Sequence, residues 1–345
     1  MKVRYAVSGF PITHSLSPIL AALTAAHLRE ASLKIELIGL TLLDSDEVTT
    51  PMAWAWAQGS KKRSTSEVSP LFGNPESFAD RSAIEAAASE VLDAVIDSDS
   101  TFIEHNETLF SAPDEFSIIS RGDEEAWISL TSPLKHQLSS RAGVICVDDS
   151  ISNAAVNQLR WDGSHWHCAG TDGAGLLAVA RHFGFKFGEG DDTNPLLCLR
   201  GGGGASRSCA ASWTKRDGQL WWLGGRRSLD NRGPWVDRMI DGDEVADHIG
   251  PRLLLDFDVE AGISGSDGGI GRPEIILSAN YSSRNRTPMI VRGEDSIHLD
   301  GRWLLAAQHL EAWARLFCPE HAHLLPGLGL TMTRLAAVED ILRAK

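Results

Sequence analysis

At 345 residues, with 43% hydrophobic and 23% charged residues, the chain can bury two cores and falls among globular proteins. A net charge of -14 argues against a nucleic-acid or anionic-membrane surface, because phosphates need clustered Lys and Arg. It still allows an anionic small molecule, since a few local cations can outweigh the global field. The five cysteines (Cys146, Cys168, Cys198, Cys209 and Cys318) contain no Cys-x-x-Cys pair, which reads as a reduced, cytosolic chain. No stretch resembles a signal peptide and no apolar run nears the ~20 residues of a membrane span, so the expectation is a soluble cytoplasmic protein.

Strand-like and helix-like segments alternate along the chain. Tyr5-Ala6-Val7 reads as a first strand, Ile19 to Glu30 as an Ala/Leu-rich helix, and Leu33 to Leu43 as a second strand. The stretch of about 44–120 breaks this rhythm: it carries Trp54 and Trp56, a polar run from Gly59 to Ser66, and one helical segment, Ser82 to Val95. It reads as an insertion, a surface excursion or lid. Strands resume at Trp127 to Thr131 and Val144 to Val147, and Gly173 to Phe185 reads as a helix. Pro195 to Leu199, Leu220 to Leu223, Leu253 to Phe257 and Ile275 to Leu277 are short strands, and Trp303 to Phe317 is an amphipathic helix. Such alternation predicts an α/β architecture with mainly parallel sheets.

The residues that carry chemistry follow the strands. Gly9-Phe10-Pro11-Ile12-Thr13-His14-Ser15-Leu16-Ser17-Pro18 sits at the carboxyl end of the first strand, where Ser15 and Ser17 offer two hydroxyls to a polyol or carboxylate. A lone Ser-x-Ser more often caps a helix. Ser129-Leu130-Thr131-Ser132-Pro133-Leu134-Lys135 ends a strand in Pro-x-Lys, which projects an ammonium from a fixed turn toward the edge where α/β sites lie. An isolated lysine there is ordinarily solvated. Asn157 lies in Ala155-Val156-Asn157-Gln158, and Asp172 in Gly170-Thr171-Asp172-Gly173-Ala174-Gly175, which on its own reads as a turn or helix cap.

Gly201-Gly202-Gly203-Gly204-Ala205-Ser206-Arg207 follows a strand and precedes a helix. There bare backbone can approach a pyrophosphate that also meets the helix N-terminus. About twenty residues on, Arg226 and Arg227 stand after the next strand, where a basic residue suits the 2′-phosphate of NADP and an acidic one suits NAD. His165 with His167, and His321 with His323, lack a third ligand at a recognisable spacing, so no metal is expected.

Together these segments resemble the shikimate dehydrogenase family, with an actinobacterial-like shikimate/quinate dehydrogenase character. The opening segment is similar to the family's signature, whose two serines hold the substrate carboxylate. Thr131 to Lys135 resembles Asn-x-Thr-x-Pro-x-Lys with Ser129 in place of Asn, as in some actinobacterial members. Asn157 matches Ala-x-Asn-Thr, and Asp172 matches Asn-Thr-Asp-Gly-x-Gly with Gly170 in place of Asn. The glycine loop resembles Gly-Ala-Gly-Gly-Ala-Ser-Arg, and Arg226 falls at the arginine of Asn-Arg-Thr.

The resemblance implies Lys135 and Asp172 as catalytic residues, and Ser15, Ser17, Thr131, Asn157, Tyr281 and Gln308 as substrate-binding. Gly201, Gly203, Gly204, Ala205, Ser206, Arg226 and Arg227 would bind NADP. The sequence departs from the family at Ser278, Ser283 and Leu304. It departs also over Leu255 to Gly262, where Phe257 and Val259 stand in the loop that normally lines the nicotinamide side.

The implied fold is a two-domain α/β chain. Residues 1–172 form a substrate-binding domain carrying the insertion, 173–300 a Rossmann-like NADP-binding domain, and 301–345 C-terminal helices returning to the first. The implied activity is the NADP-dependent, reversible reduction of 3-dehydroshikimate to shikimate in aromatic amino-acid biosynthesis. The partner is a small-molecule substrate, with no nucleic acid or membrane, and the oligomeric state stays open, a homodimer included. A quinate/shikimate enzyme using NAD is disfavoured by the paired arginines. A second class stands beside these: a family member that binds the substrate, has lost turnover, and serves as sensor or scaffold.

Overall fold

Lys2–Gly9 forms the first strand, β1, because its centre is apolar on both faces: every residue from Tyr5 to Gly9 is buried. Such a continuous run marks a parallel strand covered on both sides rather than a half-exposed one. In the computed structural model, which describes residues 1–56, 80–93, 102, 110–112, 123–188, 194–258, 271–281 and 287–344, β1 is the second strand of a six-stranded sheet. It pairs in parallel with β2 (Glu36–Asp44) on one side and β3 (Glu124–Leu130) on the other. Helix α1 (Ser17–Glu30) connects β1 to β2. Pro18 sits in its first turn, where a missing N–H costs nothing, and its residues from Ser17 to Ala26 are buried.

Beyond β3 the sheet turns antiparallel. β5 (Gln158–Trp161) pairs with β3 and forms a hairpin with β6 (Trp166–Ala169), and β4 (Ile145–Cys146) lies parallel to β6 at the edge. The sheets are mainly parallel, as expected, with the antiparallel pairs of this one confined to β3–β5 and β5–β6. The strand β5 is hard to see because Arg160 sits in its middle and looks like a surface residue. It is in fact buried, and its guanidinium forks onto the equally buried Glu125 with N···O distances of 2.9 and 3.0 Å. The remaining N–H donates to the carbonyl of Leu316 at 3.0 Å, and the Trp127 indole donates to the same Glu125 at 2.7 Å.

Helices α2 (Thr49–Trp56) and α3 (Arg81–Asp93) belong to the expected insertion. Trp54 packs on the core of this sheet, and the exposed Trp56 stacks on Trp161 at 5.3 Å between ring centroids. The polar run from Gly59 to Ser66 lies outside the described residues.

The second sheet has the order β11-β12-β10-β9-β7-β8. Here β7 is Leu196–Arg200, β8 Gln219–Trp222, β9 Arg252–Asp256, β10 Ile275–Ser278, β11 Ile290–Arg292 and β12 Ile297–Leu299. All neighbours are parallel except the edge pair β11 and β12. The chain moves one way from β7 to β8 and the other way from β7 to β9, which makes the carboxyl ends of β7 and β9 a topological switch point, the usual ligand crevice of a doubly wound sheet. Helices α4 (Asp172–His182), α5 (Gly204–Thr214), α6 (Gly242–Asp247) and α7 (Gly301–Ala312) complete this part, with α4 packed on α5.

The chain divides into two compact units. One holds the described residues up to Thr171 and from His309 onward; the other is Asp172–Gln308. The second boundary falls inside α7 rather than before it. Trp303, at the start of α7, packs against His182 and Phe183, whereas His309 bonds to Tyr5 of β1. The chain then winds as one π-helical stretch, Trp313–Phe317, and ends in α8 (Leu328–Ala344), which packs on α1 and α3 within the first unit. Trp127 is held there between Phe317, stacked at 4.7 Å, and Trp313, edge-on at 4.9 Å. No helix among the described residues is long and apolar enough to cross a membrane.

The Glu125–Arg160 pair yields a stability prediction. Glu125→Ala leaves a buried guanidinium without its counter-charge and should cost about 3–5 kcal/mol of the first unit's unfolding free energy. A urea titration of wild type and variant checks this, and a loss within the range of an ordinary surface substitution would show the pair to be dispensable.

Candidate active site

The loops that follow β1 and β3 are locked together. Thr131 N–H donates to the carbonyl of Ser8 at 2.8 Å, and Phe10 N–H donates to that of Ser132 at 2.9 Å. The lock requires glycine at position 9: a Cβ there would stand 2.2 Å from the Thr131 methyl and 2.7 Å from the Ser132 carbonyl. Both loops carry a cis proline, at Pro11 and Pro133. They bring Ser15, Ser17, Thr131 and Lys135 to the carboxyl edge of the same parallel strands. Ser15 is half-buried and its hydroxyl accepts the Ser17 amide at 3.3 Å; Ser17 is buried and opens α1. Lys135 lies half-buried in a single 3₁₀ turn, Leu134–His136.

Asn157 is buried and grips the chain just before Asp172. Its side-chain oxygen accepts the Thr171 amide at 2.7 Å, and its side-chain N–H donates to the Thr171 hydroxyl at 3.2 Å. Thr171 also accepts from Gln158 at 3.4 Å, which begins a buried polar chain through the sheet. Ser129 donates to Gln158 at 2.8 Å, Tyr5 donates to Ser129 at 2.7 Å, and Tyr5 accepts from Nε2 of His309 at 2.8 Å. Ser129, the residue standing where the family has Asn, is thus part of an interior network. Asp172 is buried at the first position of α4, where the helix dipole favours a carboxylate. The next residue, Gly173, donates its amide to Ser208 of α5 at 3.0 Å.

In the second unit the glycine loop occupies the switch point. Gly201 N–H donates to the carbonyl of Gly224 at 2.8 Å, and the Arg227–Ser228 backbone crosses Gly202 so closely that a methyl would come within 2.3 Å of the Ser228 carbonyl. Gly203 faces open space and precedes α5, whose first turn (Gly204, Ala205, Ser206) has no side-chain cap. Arg207 donates to the Gly202 carbonyl at 3.1 Å, and burial together with the nearby Arg227 draws its pKa down, against the pull of Asp230. Arg226 is exposed and forms an ion pair with Asp258 at 3.0 Å, while its backbone N–H donates to the same carboxylate at 2.8 Å.

Asp258 and Asp256, which pairs with Arg200 at 2.9 Å, were not singled out from the sequence. The available signal was an Asp-x-Asp at the end of β9. Phe257 lies beside Gly201; Val259 is outside the described residues. Tyr281 follows β10 half-buried, and Gln308 lies half-buried near the end of α7, where that helix meets Gly175 of α4. The histidine pairs part company: His167 is buried and bonded to Asp162 at 3.0 Å, while His165 is exposed. Among the described residues no group of three or more His, Cys, Asp or Glu gathers as metal ligands do.

His309 makes the buried polar chain sensitive to acid. Burial pushes its pKa from 6.5 down to about 3. Below pH 6.5 the unfolded imidazole takes up a proton that the folded one refuses, so stability is lost as pH falls toward 3 and is unaffected by this group above 6.5. His309→Gln keeps a donor toward Tyr5 and removes that linkage. The wild type's unfolding free energy should therefore fall more steeply with acid than the variant's, by up to about 1.4 kcal/mol per pH unit. Parallel acid limbs would show that His309 titrates normally.

No protein-family model matches the sequence, and no curated protein matches it. Solved structures do. Shikimate 5-dehydrogenase from Thermus thermophilus, in complex with NADP(H) and shikimate, superposes with a TM-score of 0.52 at 17% identity, over 99% of this chain and 99% of that one. Mycobacterium tuberculosis shikimate dehydrogenase gives 0.53 at 16%, over 97% and 99%. A further shikimate dehydrogenase, solved with NADP+, gives 0.53 at 12%, over 97% and 95%. At these identities the likeness is one of architecture: the chain has the α/β fold of the shikimate dehydrogenases.

Proposed function

We propose that this protein is an NADP-dependent shikimate dehydrogenase that interconverts 3-dehydroshikimate and shikimate. The observation that carries the reading is the lock between the β1 and β3 loops. It gathers the two signature serines, Thr131 and Lys135 at one sheet edge, while Asn157 holds the chain leading into Asp172. In this reading Ser15 and Ser17 anchor the substrate carboxylate. Thr131, Asn157, Tyr281 and Gln308 bind its hydroxyls and ring. Lys135 gives a proton to the oxygen of the carbonyl being reduced, and takes it back in the reverse direction. Asp172 hydrogen-bonds the neighbouring substrate hydroxyl, the role the resemblance gives it.

The second unit suits a dinucleotide. The open Gly203 and the uncapped first turn of α5 offer backbone N–H groups to a pyrophosphate, and Arg207, Arg226 and Arg227 supply the positive charge a 2′-phosphate requires. NADPH, when bound, supplies the hydride for the carbonyl carbon. A ligand-binding protein without turnover is the competing reading, favoured by the hold of Asp258 on Arg226 and by Phe257 against Gly201. Mixing the protein with NADPH and 3-dehydroshikimate separates the two: consumption of NADPH supports the enzyme, and shikimate binding without consumption supports the alternative.

Replacing the proposed acid tests the mechanism. Lys135→Ala should lower kcat by about 10²–10⁴-fold with a smaller effect on KM, the range expected for a positioned general acid–base. Near-normal turnover in the purified variant would remove Lys135 from the reaction.

Cofactor choice is tested separately. The double variant Arg226→Ala, Arg227→Ala should weaken NADP binding by about 1.5–3 kcal/mol for each charge-assisted bond lost, and leave NAD almost unchanged. Calorimetric titration of both proteins with both cofactors measures this. An equal loss for the two cofactors, or none for either, would count against the arginines as the 2′-phosphate site.

A further inference from the structure

Cys146 and Cys168 are register partners on the parallel strands β4 and β6. Their side chains therefore leave the sheet on the same face, from Cα atoms about 4.8 Å apart as on any neighbouring strands. That spacing lies inside the roughly 4.4–6.8 Å that a disulfide spans. Both cysteines are reduced. Cys146 donates to the Asp148 carbonyl at 3.0 Å and lies 3.3 Å from the Ser150 hydroxyl. The two are unequal in access: Cys168 is fully buried, Cys146 only partly. A hydrogen bond with Cys168, joined by those from Ser150 and nearby amides, draws the Cys146 thiol down to about 6 against the opposing effect of burial. The same bond and burial push Cys168 up. A part-exposed thiol next to a buried one is the arrangement of an attacking and a resolving cysteine.

The surroundings connect this pair to the residues before Asp172. The Asp148 carboxylate accepts the Ser150 amide at 2.9 Å and the Gly170 amide at 2.8 Å. Ser150 packs flush on Gly170, where a Cβ would come 2.7 Å from its own. The sulfur of Cys146 thus helps to set a bracket that fixes Gly170, and Gly170 leads directly into Thr171.

We propose that Cys146 and Cys168 form a peroxide-sensitive dithiol whose oxidation to a disulfide loosens the hold on Gly170. The Cys146 thiolate attacks a hydroperoxide oxygen, the O–O bond breaks, and the departing hydroxide or alkoxide takes up a proton, leaving a sulfenic acid. The Cys168 sulfur then attacks the sulfenic sulfur. The S–S bond forms, the S–O bond breaks, and water departs with the Cys168 proton. Overall two thiols lose two electrons and one hydroperoxide is reduced. The new bond draws the Cys146 sulfur away from Asp148 and Ser150. The disulfide does not depend on the dehydrogenase reading.

The test exposes the full-length protein to hydrogen peroxide, followed by intact mass, peptide mapping and amide exchange. Expected are the loss of two hydrogen atoms, a Cys146–Cys168 cross-linked peptide reversed by dithiothreitol, and a loss of protection in the peptide holding Gly170 and Thr171. Cys168→Ser should stop at a sulfenic acid on Cys146 that dimedone labels, and Cys146→Ser should abolish the cross-link. Should the buried Cys168→Ser variant fail to fold, the wild-type map alone decides. No cross-link, or one made through Cys198, Cys209 or Cys318, overturns the dithiol. A cross-link with unchanged protection at Gly170 overturns its coupling to the bracket.

Discussion

The missing side chain at Gly9 is the constraint on which the substrate-side arrangement rests. Two parallel strands ordinarily release their following loops independently into the space above the sheet. Here the loop after β3 runs through the volume a Cβ at position 9 would fill, and the backbones of the two loops bond to each other. Ser15, Ser17, Thr131 and Lys135 are consequently carried on one cross-braced piece of main chain. Their relative positions are set by backbone hydrogen bonds, to which the Ser15 hydroxyl adds a bond from the Ser17 amide. In the proposed enzyme, positioning of this kind would contribute to rate by removing orientational freedom otherwise lost on binding.

Beneath those loops the first unit buries several polar side chains that partner one another. Glu125 and Arg160 are both almost fully desolvated, which is tolerable only because the fork geometry, the Trp127 indole and the Leu316 carbonyl satisfy them. The pair ties β3 and β5 to the π-helical stretch, so it specifies where the C-terminal segment docks more than it adds net stability. The chain from Thr171 through Gln158, Ser129 and Tyr5 to His309 does the same across the sheet. Because Ser129 donates to Gln158, Tyr5 must donate to Ser129 and accept from His309. That order places a His309 proton on Nε2, and burial disfavours a second one on the ring.

These partnerships explain which parts of the fold could be read in advance. The strands β7, β9 and β10 are short apolar runs, Leu196 to Leu199, Leu253 to Leu255 and Ile275 to Leu277, and their period leaves little choice. The glycine loop was equally legible, since bare backbone is demanded where Gly202 passes the Arg227–Ser228 backbone, whereas the serines stood out only through the family resemblance. The β5–β6 hairpin was not legible as such. Its strands are four residues each, one holds an arginine, and the carboxylate that neutralises it comes from a different strand. Nor does helical periodicity reveal that Trp303 to Phe317 changes from α to π winding at Trp313, since the apolar residues continue through the change. The Arg226–Asp258 pair joins residues far apart in sequence, and neither residue's neighbours announce the other.

That last pair bears on how a strongly acidic protein can hold an anion. The charge of -14 sets a repulsive background, so the attraction must come from a few cations kept in place. Asp258 accepts both the side chain and the backbone N–H of Arg226, which restrains a side chain that would otherwise sample open solvent. It also places a negative charge where an incoming phosphate would compete for the same guanidinium. An exposed ion pair of this kind contributes little stability, about 0–1 kcal/mol, so exchanging the carboxylate for a phosphate dianion costs little. Arg207 differs: burial and the nearby Arg227 disfavour its charge, and Asp230 relieves that only in part. An anion arriving between such cations relieves their repulsion as well as forming its own bonds. In the proposed NADP reading, that relief would add to the bonds a 2′-phosphate forms with Arg226.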